Sequence, residues 1–170
     1  ATCNILNFAR KNKNLELFIY FSTDEVFGPA PNKIKYKERD RYNSTNPYSA
    51  TKAGGEELAV AFENSYKLPI FITHTMNVFG ERQHPEKFIP KCIISARDGL
   101  KIDVHSNKSK TIAGSRHYIH ASDVADGCLF LMKNRKKIKI DNDFGGAKCP
   151  KFNLVGLVEL DNLALAELIA

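Results

Sequence analysis

A nearly unbroken run of apolar and aromatic side chains spans residues 15–21, Leu15-Glu16-Leu17-Phe18-Ile19-Tyr20-Phe21. Such a run is typical of a strand that is covered on both faces in a parallel sheet. A second run of this kind covers Pro69 to Thr75. Between them, Asn46 and Pro47 supply an N-cap and a proline at the first helical position, which predicts a helix from Pro47 to about Tyr66. Strand, helix and strand therefore alternate, which predicts an α/β protein with a mostly parallel sheet.

The predicted helix is amphipathic. Small and apolar side chains recur along it at mixed three- and four-residue spacing, so we expect one stripe of the helix to face a core. The stripe comprises Ala50, Ala53, Leu58, Ala61 and Phe62.

Shorter patterns in the rest of the chain predict further helices, strands and loops. Helices are expected at Pro90 to Gly99, Ser122 to Met132 and Leu160 to Ala170. Strands are expected at Ile102 to His105, Arg116 to His120 and Lys151 to Val155. Polar loops are expected at Asn32 to Thr45 and Asn77 to Gly80.

The composition is that of a folded protein. The chain has 170 residues, of which 43% are apolar and 26% are charged. A chain of this length buries enough surface to need neither disulfides nor metal. Because no apolar run reaches the roughly 18 residues of a membrane helix, no membrane partner is expected. The four cysteines show no C-x-x-C spacing, which argues against a metal site and favours a reducing cytoplasm.

The net charge is +6, from 25 Lys and Arg against 19 Asp and Glu. The densest basic stretch runs from Lys133 to Lys139 and has no interleaved aromatic side chains of the kind that stack on bases. We therefore interpret it as a solvated surface and expect no nucleic-acid partner.

Besides the loop from Asn77 to Gly80, two polar segments fall where a parallel sheet binds ligands, at the carboxyl ends of its strands. The first is Ser22-Thr23-Asp24-Glu25, directly after the first strand. The second is the start of the helix, where Tyr48 and Lys52 stand four residues apart on one side. A cation close to a tyrosine lowers its pKa from about 10 toward the range of a useful base. The alternatives are a loop or cap for the first segment and a surface pair for the second.

Together with several other short motifs, these segments resemble the extended short-chain dehydrogenase/reductases and, within them, the nucleotide-sugar 4,6-dehydratases. The motifs follow the family's order and spacing over most of the chain. They are STDEVFG at residues 22–28, NPYSATKA at 46–53, NVFG at 77–80, HPEKFIP at 84–90, GSR at 114–116 and DVA at 123–125. The resemblance implies a Rossmann-like, doubly wound parallel sheet with part of a smaller substrate-binding region.

The resemblance also implies a reaction in which a hydride moves to NAD and later returns to the sugar. Tyr48 takes the proton of the hydroxyl at carbon 4, while Lys52 lowers the pKa of Tyr48 and holds the nicotinamide ribose. Thr23 orients the same hydroxyl. Glu25 then removes the proton at carbon 5, and Asp24 protonates the hydroxyl that leaves carbon 6.

Further residues resemble the family's binding residues. Ser22 is expected at the cofactor, beside the tyrosine and the lysine. Asn77, Lys87 and Arg116 resemble residues that hold the sugar nucleotide, and cationic side chains are natural partners of a diphosphate. The alternative for these three is a capped turn or surface charge. The implied partners are a nucleoside-diphosphate sugar and, for the full-length protein, a second copy in a homodimer.

The acidic pair Asp24-Glu25 separates dehydratases from the sugar epimerases, which share the tyrosine and lysine but usually lack the pair. The segment NPYSATKAGGE at residues 46–56 is most similar to the UDP-glucose branch, which leads to UDP-rhamnose, and dTDP-glucose is close behind. Two other functions stay open: an epimerase, and a non-catalytic nucleotide-sugar-binding protein that kept the fold and lost the cofactor.

The glycine-rich turn that receives the NAD pyrophosphate is missing, because no three of the ten glycines form G-x-x-G-x-x-G or G-x-G-x-x-G. We therefore expect a fragment of a longer protein that lacks the first dinucleotide-binding half and is inactive alone. Residues 1–80 are expected to form the carboxyl-side part of the NAD-binding domain, with the catalytic motifs. Residues 81–170 are expected to form a substrate-binding region interleaved with returning Rossmann elements.

Overall fold

The structure is a computed structural model that describes residues 1–30, 34–138 and 149–170. Asn32 and Lys33 of the predicted polar loop and Lys139 of the basic stretch lie outside the described residues. The chain divides into two compact units. Unit 1 comprises Ala1–Thr75 and Ala125–Leu154, and unit 2 comprises Met76–Val124 and Val155–Ala170. The predicted division at residue 80 stays a prediction.

The described residues form five α-helices, one short 3-10 helix (η1) and seven strands. In chain order they are α1 (Thr2–Ala9), β1 (Phe18–Thr23), η1 (Asp24–Phe27), α2 (Pro47–Tyr66), β2 (Ile70–Thr75), β3 (Val78–Phe79), α3 (Phe88–Arg97), β4 (Ser115–His117), β5 (Ile119–His120), α4 (Ala121–Asn134), β6 (Lys151–Leu154), β7 (Glu159–Asp161) and α5 (Asn162–Ile169). No helix among these residues combines the length and apolar character needed to span a membrane.

Unit 1 is built on a parallel sheet of three strands in the order β1-β2-β6. Phe18 pairs with Ile70 and Thr23 with Thr75, so β1 and β2 end at the same edge of the sheet. Helix α2 lies between these two strands in the chain and supplies the crossover that neighbouring parallel strands need. The predicted α/β class with a parallel sheet is confirmed.

The first strand differs from its prediction in position and in burial. It begins at Phe18 rather than Leu15 and runs through Thr23, so the first two residues of the polar tetrad belong to the strand. It is also not covered on both faces, because Phe21 is 46% exposed. In the described part of the chain β1 is an edge strand of its sheet.

Helix α2 begins and ends where the sequence predicted. Asn46 is its N-cap and forms a capping box with Ser49, accepting from the Ser49 backbone N–H at 2.8 Å. Pro47 takes the first helical position, and Lys67 ends the helix in the left-handed conformation. Local signals at both ends therefore set where the helix begins and ends.

The predicted apolar stripe of α2 was wrong, because only Phe62 of its five members is buried. The buried face instead carries a mixture of polar and apolar residues: Ser49, Gly55, Glu56, Ala59, Phe62 and Glu63. This face is compatible with the interior because the Glu56 carboxylate has hydrogen-bond partners from four other segments of the chain. Ala59 and Phe62 join the apolar core of unit 1 with Leu6, Leu68, Ile70, Ile72 and Cys149.

Helix α2 and strand β1 meet at Gly55. A Cβ at this position would lie 2.0 Å from the Tyr20 hydroxyl oxygen and 3.3 Å from Thr2 Oγ1. Only a glycine therefore allows the present separation of helix and strand. The adjacent Gly54 is exposed, and no described atom lies within 4 Å of a Cβ placed there.

We expect Gly55→Ala to destabilise unit 1 and Gly54→Ala to stabilise it. The first change forces the Tyr20 ring or the helix to move, for which overpacking costs about 1–3 kcal/mol. The second only improves helix propensity, which is worth about 0.5–1 kcal/mol. Denaturant unfolding of both variants measures the difference. Equal free energies of unfolding for the two alanine variants would contradict the close contact at Gly55.

Unit 2 contains two small sheets. Val78 of β3 pairs in parallel with Ile119 of β5, and β4 pairs antiparallel with β7. The segment Asn77 to Gly80, predicted as a loop, thus contains strand β3. The predicted strand from Arg116 to His120 is interrupted at Tyr118, because β4 and β5 pair with different partners.

The predicted strand at Ile102 to His105 is absent from the described structure, where this neighbourhood contributes only an isolated bridge between Ser106 and Ala113. The segment has no neighbouring strand to pair with, and local pattern alone cannot supply one. Helix α3 begins at Phe88, two residues before the proline that was expected to open it. Pro90 is tolerated there because the first backbone N–H groups of a helix have no intrahelical partner.

Candidate active site

Strand β1 carries the polar tetrad to the carboxyl edge of the sheet. Thr23 ends the strand and is the N-cap of η1, where its Oγ1 accepts from the Glu25 backbone N–H at 3.3 Å. The same hydroxyl donates to Asp24 Oδ1 at 3.3 Å. Asp24 and Glu25 form the first turn of η1. The hydroxyl and the two carboxylates are therefore held side by side by local backbone geometry.

The acidic pair is also attached to helix α2. Asn46 Nδ2 donates a hydrogen bond of 2.9 Å to Glu25 Oε2. Asn46 is the N-cap of α2, two residues before Tyr48, and its other side-chain atom closes the capping box. One amide side chain thus joins the carboxylate of η1 to the helix that carries the tyrosine. The structure brings together the two segments that the sequence analysis expected to converge.

Tyr48 and Lys52 lie on α2 beside the end of β1. The side chain of Tyr48 is 53% exposed, so its hydroxyl is accessible to a ligand. Lys52 Nζ donates to the Phe21 carbonyl at 2.6 Å and stands 5.4 Å from the centre of the Tyr20 ring. The ammonium is therefore fixed at the carboxyl end of β1, one turn of helix from the tyrosine.

Tyr20 is a neighbour of this site that the sequence analysis did not single out. Its hydroxyl donates to the Lys52 backbone carbonyl at 3.4 Å. Burial raises the pKa of Tyr20, a hydrogen bond with Thr2 opposes this, and the negative charge of Glu56 adds to it. Tyr20 therefore stays neutral and packs the helix against the strand. Its aromatic character inside a strand pattern was the available signal, but it indicated only a core residue.

Ser22, predicted at the cofactor, is buried and donates its hydroxyl to the Glu56 carboxylate. Its Oγ is thus used inside the fold, on the side of the strand that faces α2. A contact of Ser22 with a cofactor would have to use its backbone. That role stays a prediction.

Glu56, like Tyr20, lies near the site and was not singled out from the sequence. It is 0% exposed, and its carboxylate accepts from Ser22, from Tyr42 and from Lys151 Nζ at 3.3 Å. His74 Nε2 lies 3.2 Å from Glu56 Oε2. Burial opposes ionisation, but the hydrogen bonds from His74, Ser22 and Tyr42 outweigh it and hold the pKa of Glu56 below its ordinary value. No sequence pattern around Glu56 predicts this burial.

The three predicted substrate residues lie in unit 2. Asn77 is partly buried in a left-handed backbone conformation (φ +30°) just before β3. Lys87 is exposed and is the N-cap residue of α3. Arg116 is exposed on β4, where its Nη1 donates to the Ser115 carbonyl at 2.8 Å. Their roles in binding stay predictions.

Comparison with known proteins identifies the family of the chain. The family model of the NAD dependent epimerase/dehydratase family matches residues 1–144. The chain belongs to this family. It is 39% identical over 133 residues to a dTDP-D-glucose 4,6-dehydratase of Dictyostelium discoideum, a match that covers 72% of this chain and 30% of the relative. The chain is also 39% identical over 124 residues to a trifunctional enzyme of Arabidopsis thaliana whose name includes UDP-glucose 4,6-dehydratase. This match covers 72% of this chain and 18% of that protein.

Solved structures of this family share the fold. The dTDP-glucose 4,6-dehydratase of Bacillus anthracis, solved in complex with NAD, superposes with a TM-score of 0.82 at 26% identity. The match covers 99% of this chain and 49% of that chain. The Rossmann-like fold and the resemblance to the dehydratases are thereby confirmed. The chain spans about a third of the first curated dehydratases that it matches.

Proposed function

We propose that this protein is an NAD-dependent nucleotide-sugar 4,6-dehydratase, which converts UDP-glucose or dTDP-glucose to the 4-keto-6-deoxy sugar. The observation that carries the proposal is the hydrogen bond of 2.9 Å between Asn46 and Glu25. It attaches the acidic pair of η1 to the start of the helix that bears Tyr48 and Lys52. A base for a hydroxyl and a base for a carbon-bound proton therefore stand at one edge of the sheet.

The first proton transfer is assigned to α2 and the end of β1. Tyr48 accepts the proton of the hydroxyl at carbon 4, for which its exposure provides access. Lys52 supplies positive charge one helical turn away. Thr23 at the end of the strand is assigned to orient the sugar hydroxyl; its buried hydroxyl donates to Asp24 and accepts from the Glu25 backbone N–H.

The elimination is assigned to the acidic pair. Glu25 removes the proton at carbon 5, and Asp24 protonates the hydroxyl that leaves carbon 6 as water. Two neighbouring carboxyl groups suit this division of work, because one must accept a proton while the other donates one. The exposed position of Glu25 at the start of η1 allows its carboxylate to reach a ligand.

The residues of this edge also fit a nicotinamide ribose. Lys52 uses one N–H for the Phe21 carbonyl and keeps two more, and Tyr48 is exposed beside it. When bound, NAD would supply the hydride acceptor for carbon 4 and the hydride donor for carbon 6, and Glu25 would return its proton to carbon 5. The Ser22 hydroxyl donates to Glu56, and its contact with the cofactor stays a prediction.

The proposal extends to the partners of the protein. Lys87 and Arg116 carry exposed positive charge that suits the diphosphate of a sugar nucleotide, and Asn77 offers an amide. Helices α1 and α2 leave large apolar side chains exposed, among them Phe8 and Leu58. Such a surface suits a homodimer in which these helices pack against their copies. The proposed location is the cytoplasm.

The test is the product formed by the purified full-length protein. We expect incubation with NAD and either UDP-glucose or dTDP-glucose to give a product that has lost one water and gained a 4-keto group, detected by mass spectrometry and NMR. A product of unchanged mass and inverted configuration at carbon 4 would identify an epimerase instead. Binding of the sugar nucleotide without any conversion would support the non-catalytic alternative.

A further inference from the structure

We propose that Glu56 is a positioning residue of the active site, which fixes the distance between the tyrosine helix and the acidic turn through a buried polar network. The proposal rests on the proposed function. It assigns a role to a residue that would not touch substrate or cofactor, because the Glu56 side chain is 0% exposed. The network comprises Ser22, Tyr42, Glu56, His74 and Lys151.

Glu56 lies on the same side of α2 as the two proposed catalytic residues of that helix. Tyr48, Lys52 and Glu56 follow one another at intervals of four residues, so they lie along the same side of the helix. Tyr48 is at the exposed end of this row, Lys52 contacts the end of β1, and Glu56 is buried beneath. A displacement of Glu56 is therefore expected to displace Tyr48 and Lys52 as well, because all three lie on one helix.

One contact of Glu56 holds the strand that precedes the acidic turn. The Ser22 hydroxyl donates to Glu56 Oε1. Ser22 is followed directly by Thr23 and the carboxylates of η1, and only one peptide bond separates the anchored residue from the first proposed catalytic group. The position of Thr23 relative to α2 is therefore set by this hydrogen bond.

Two more contacts of Glu56 involve side chains that pack against η1. Tyr42 donates to Glu56 Oε2, and His74 Nε2 lies 3.2 Å from the same oxygen. Both rings pack edge-on against Phe27, the last residue of η1, with centroid distances of 5.5 Å and 4.8 Å respectively. Glu56 thus fixes the two aromatic rings on which η1 rests.

The network continues to the third strand of the sheet. Lys151 of β6 donates to Glu56 Oε2 at 3.3 Å and balances the buried negative charge. Asn153 Oδ1 lies 3.1 Å from His74 Nδ1 and fixes the orientation of the imidazole. These donors stabilise the buried carboxylate. Its removal is expected to lower the free energy of unfolding, because the donors are left without an acceptor.

The test is Glu56→Gln in the full-length protein, an isosteric change that removes the charge and places an N–H₂ group against donors. We expect kcat to fall about 10–100-fold, since an error of about 1 Å in the placement of reacting groups can cost about 100-fold. The KM for the sugar nucleotide is expected to change by less than about threefold, because Glu56 touches no ligand. Amide hydrogen exchange is expected to become faster at residues 22–27 and 47–52.

Two glutamates of α2 provide matched controls. Glu63 lies on the same buried face, but its Oε2 has no hydrogen-bond partner among the described residues. Glu57 is adjacent to Glu56 and exposed. We expect Glu63→Gln and Glu57→Gln to keep kcat within about twofold. A loss of kcat in Glu63→Gln equal to that in Glu56→Gln would indicate a general effect of stability and overturn the proposal.

The acid stability of the variant shows independently that the network has been removed. Because the pKa of Glu56 is lowered in the folded state, its ionised form stabilises the fold above the unfolded pKa of about 4.3, and this contribution is lost as the pH falls through the lower folded value. We expect Glu56→Gln to lose less stability than the parent between about pH 5 and pH 3. Tyr42, His74 and Lys151 are the titratable side chains that face the Glu56 carboxylate.

Ser22→Ala provides a second variant if Glu56→Gln does not fold. It removes only the donor that anchors β1, so kcat is expected to fall in the same direction by a smaller factor. In the double variant the loss is expected to be less than the product of the two single losses. Unchanged kcat in either folded variant would overturn the proposal.

Failure of the proposed function gives a different result. A parent protein that converts neither sugar nucleotide contradicts the dehydratase assignment. Hydrogen exchange then still tests the network without any activity. Unchanged exchange at residues 22–27 and 47–52 in Glu56→Gln contradicts positioning in that case as well.

Discussion

Replacing Glu25 with glutamine is expected to lower the rate of water loss from the sugar nucleotide by about 10²–10⁴-fold, the range for removal of a general base. Glutamine has the shape of glutamate and can still accept from Asn46 through its side-chain oxygen, so the attachment of η1 to α2 is kept. Only the ability to accept the proton at carbon 5 is lost. Product mass and the 4-keto signal in NMR measure the rate.

The specificity of this effect can be examined in the same variant. Thr23, Tyr48 and Lys52 remain, so proton removal from the hydroxyl at carbon 4 is expected to continue, whereas exchange of the proton at carbon 5 with deuterated solvent is expected to stop. Glu57→Gln makes the same chemical change on the exposed side of α2 and serves as the control. Parental rates of water loss in Glu25→Gln would remove the proposed role of the acidic pair.

The helix of the candidate site was predictable from sequence because its determinants are local. Asn46, Pro47 and Ser49 form the capping box and first turn within four residues, and α2 has the predicted bounds. Strand β2 was predictable for a related reason: its apolar run is buried along nearly its whole length, so composition and burial agree. Elements whose signals lie within a few residues are recovered without knowledge of the fold.

The buried face of α2 was not predictable, because it depends on partners far away in sequence. Glu56 is buried with Ser22, His74 and Lys151, which lie 34, 18 and 95 residues away. An amphipathic pattern assigns every glutamate to solvent, since burial of a carboxylate is favourable only where several donors converge. The strand predicted at Ile102 to His105 is absent for a similar reason, because this segment has no partner strand among the described residues.

Some features of the candidate site were likewise predictable from sequence, and others were not. The residue types at Thr23 to Glu25 and at Tyr48 and Lys52 were recognised from motifs, and strand alternation explains why they share an edge of the sheet. The hydrogen bond from Asn46 to Glu25 was not foreseen, because the asparagine was interpreted only as a helix cap. One side chain performs both tasks, and sequence alone shows only the local one.

Tyr48→Phe is expected to reduce kcat by about 10²–10⁴-fold while leaving the affinity for the sugar nucleotide within about threefold. The change removes one hydroxyl from an exposed side chain, so the fold and the cap of α2 are retained. Without the phenol oxygen no group on α2 can accept the proton of the hydroxyl at carbon 4. Turnover and equilibrium binding, measured on the same preparation, provide the two numbers.

Tyr66→Phe is the matched control, because Tyr66 lies on the same helix and is 52% exposed at its far end. Its ring contacts Phe62 and the Arg10 guanidinium and not the acidic turn, so kcat is expected to stay at the parental value. The comparison separates the catalytic proposal from its main alternative. A protein that only binds nucleotide sugars would keep its full function in both variants, whereas a dehydratase loses turnover in Tyr48→Phe alone, since affinity and proton transfer depend on different atoms of the same edge.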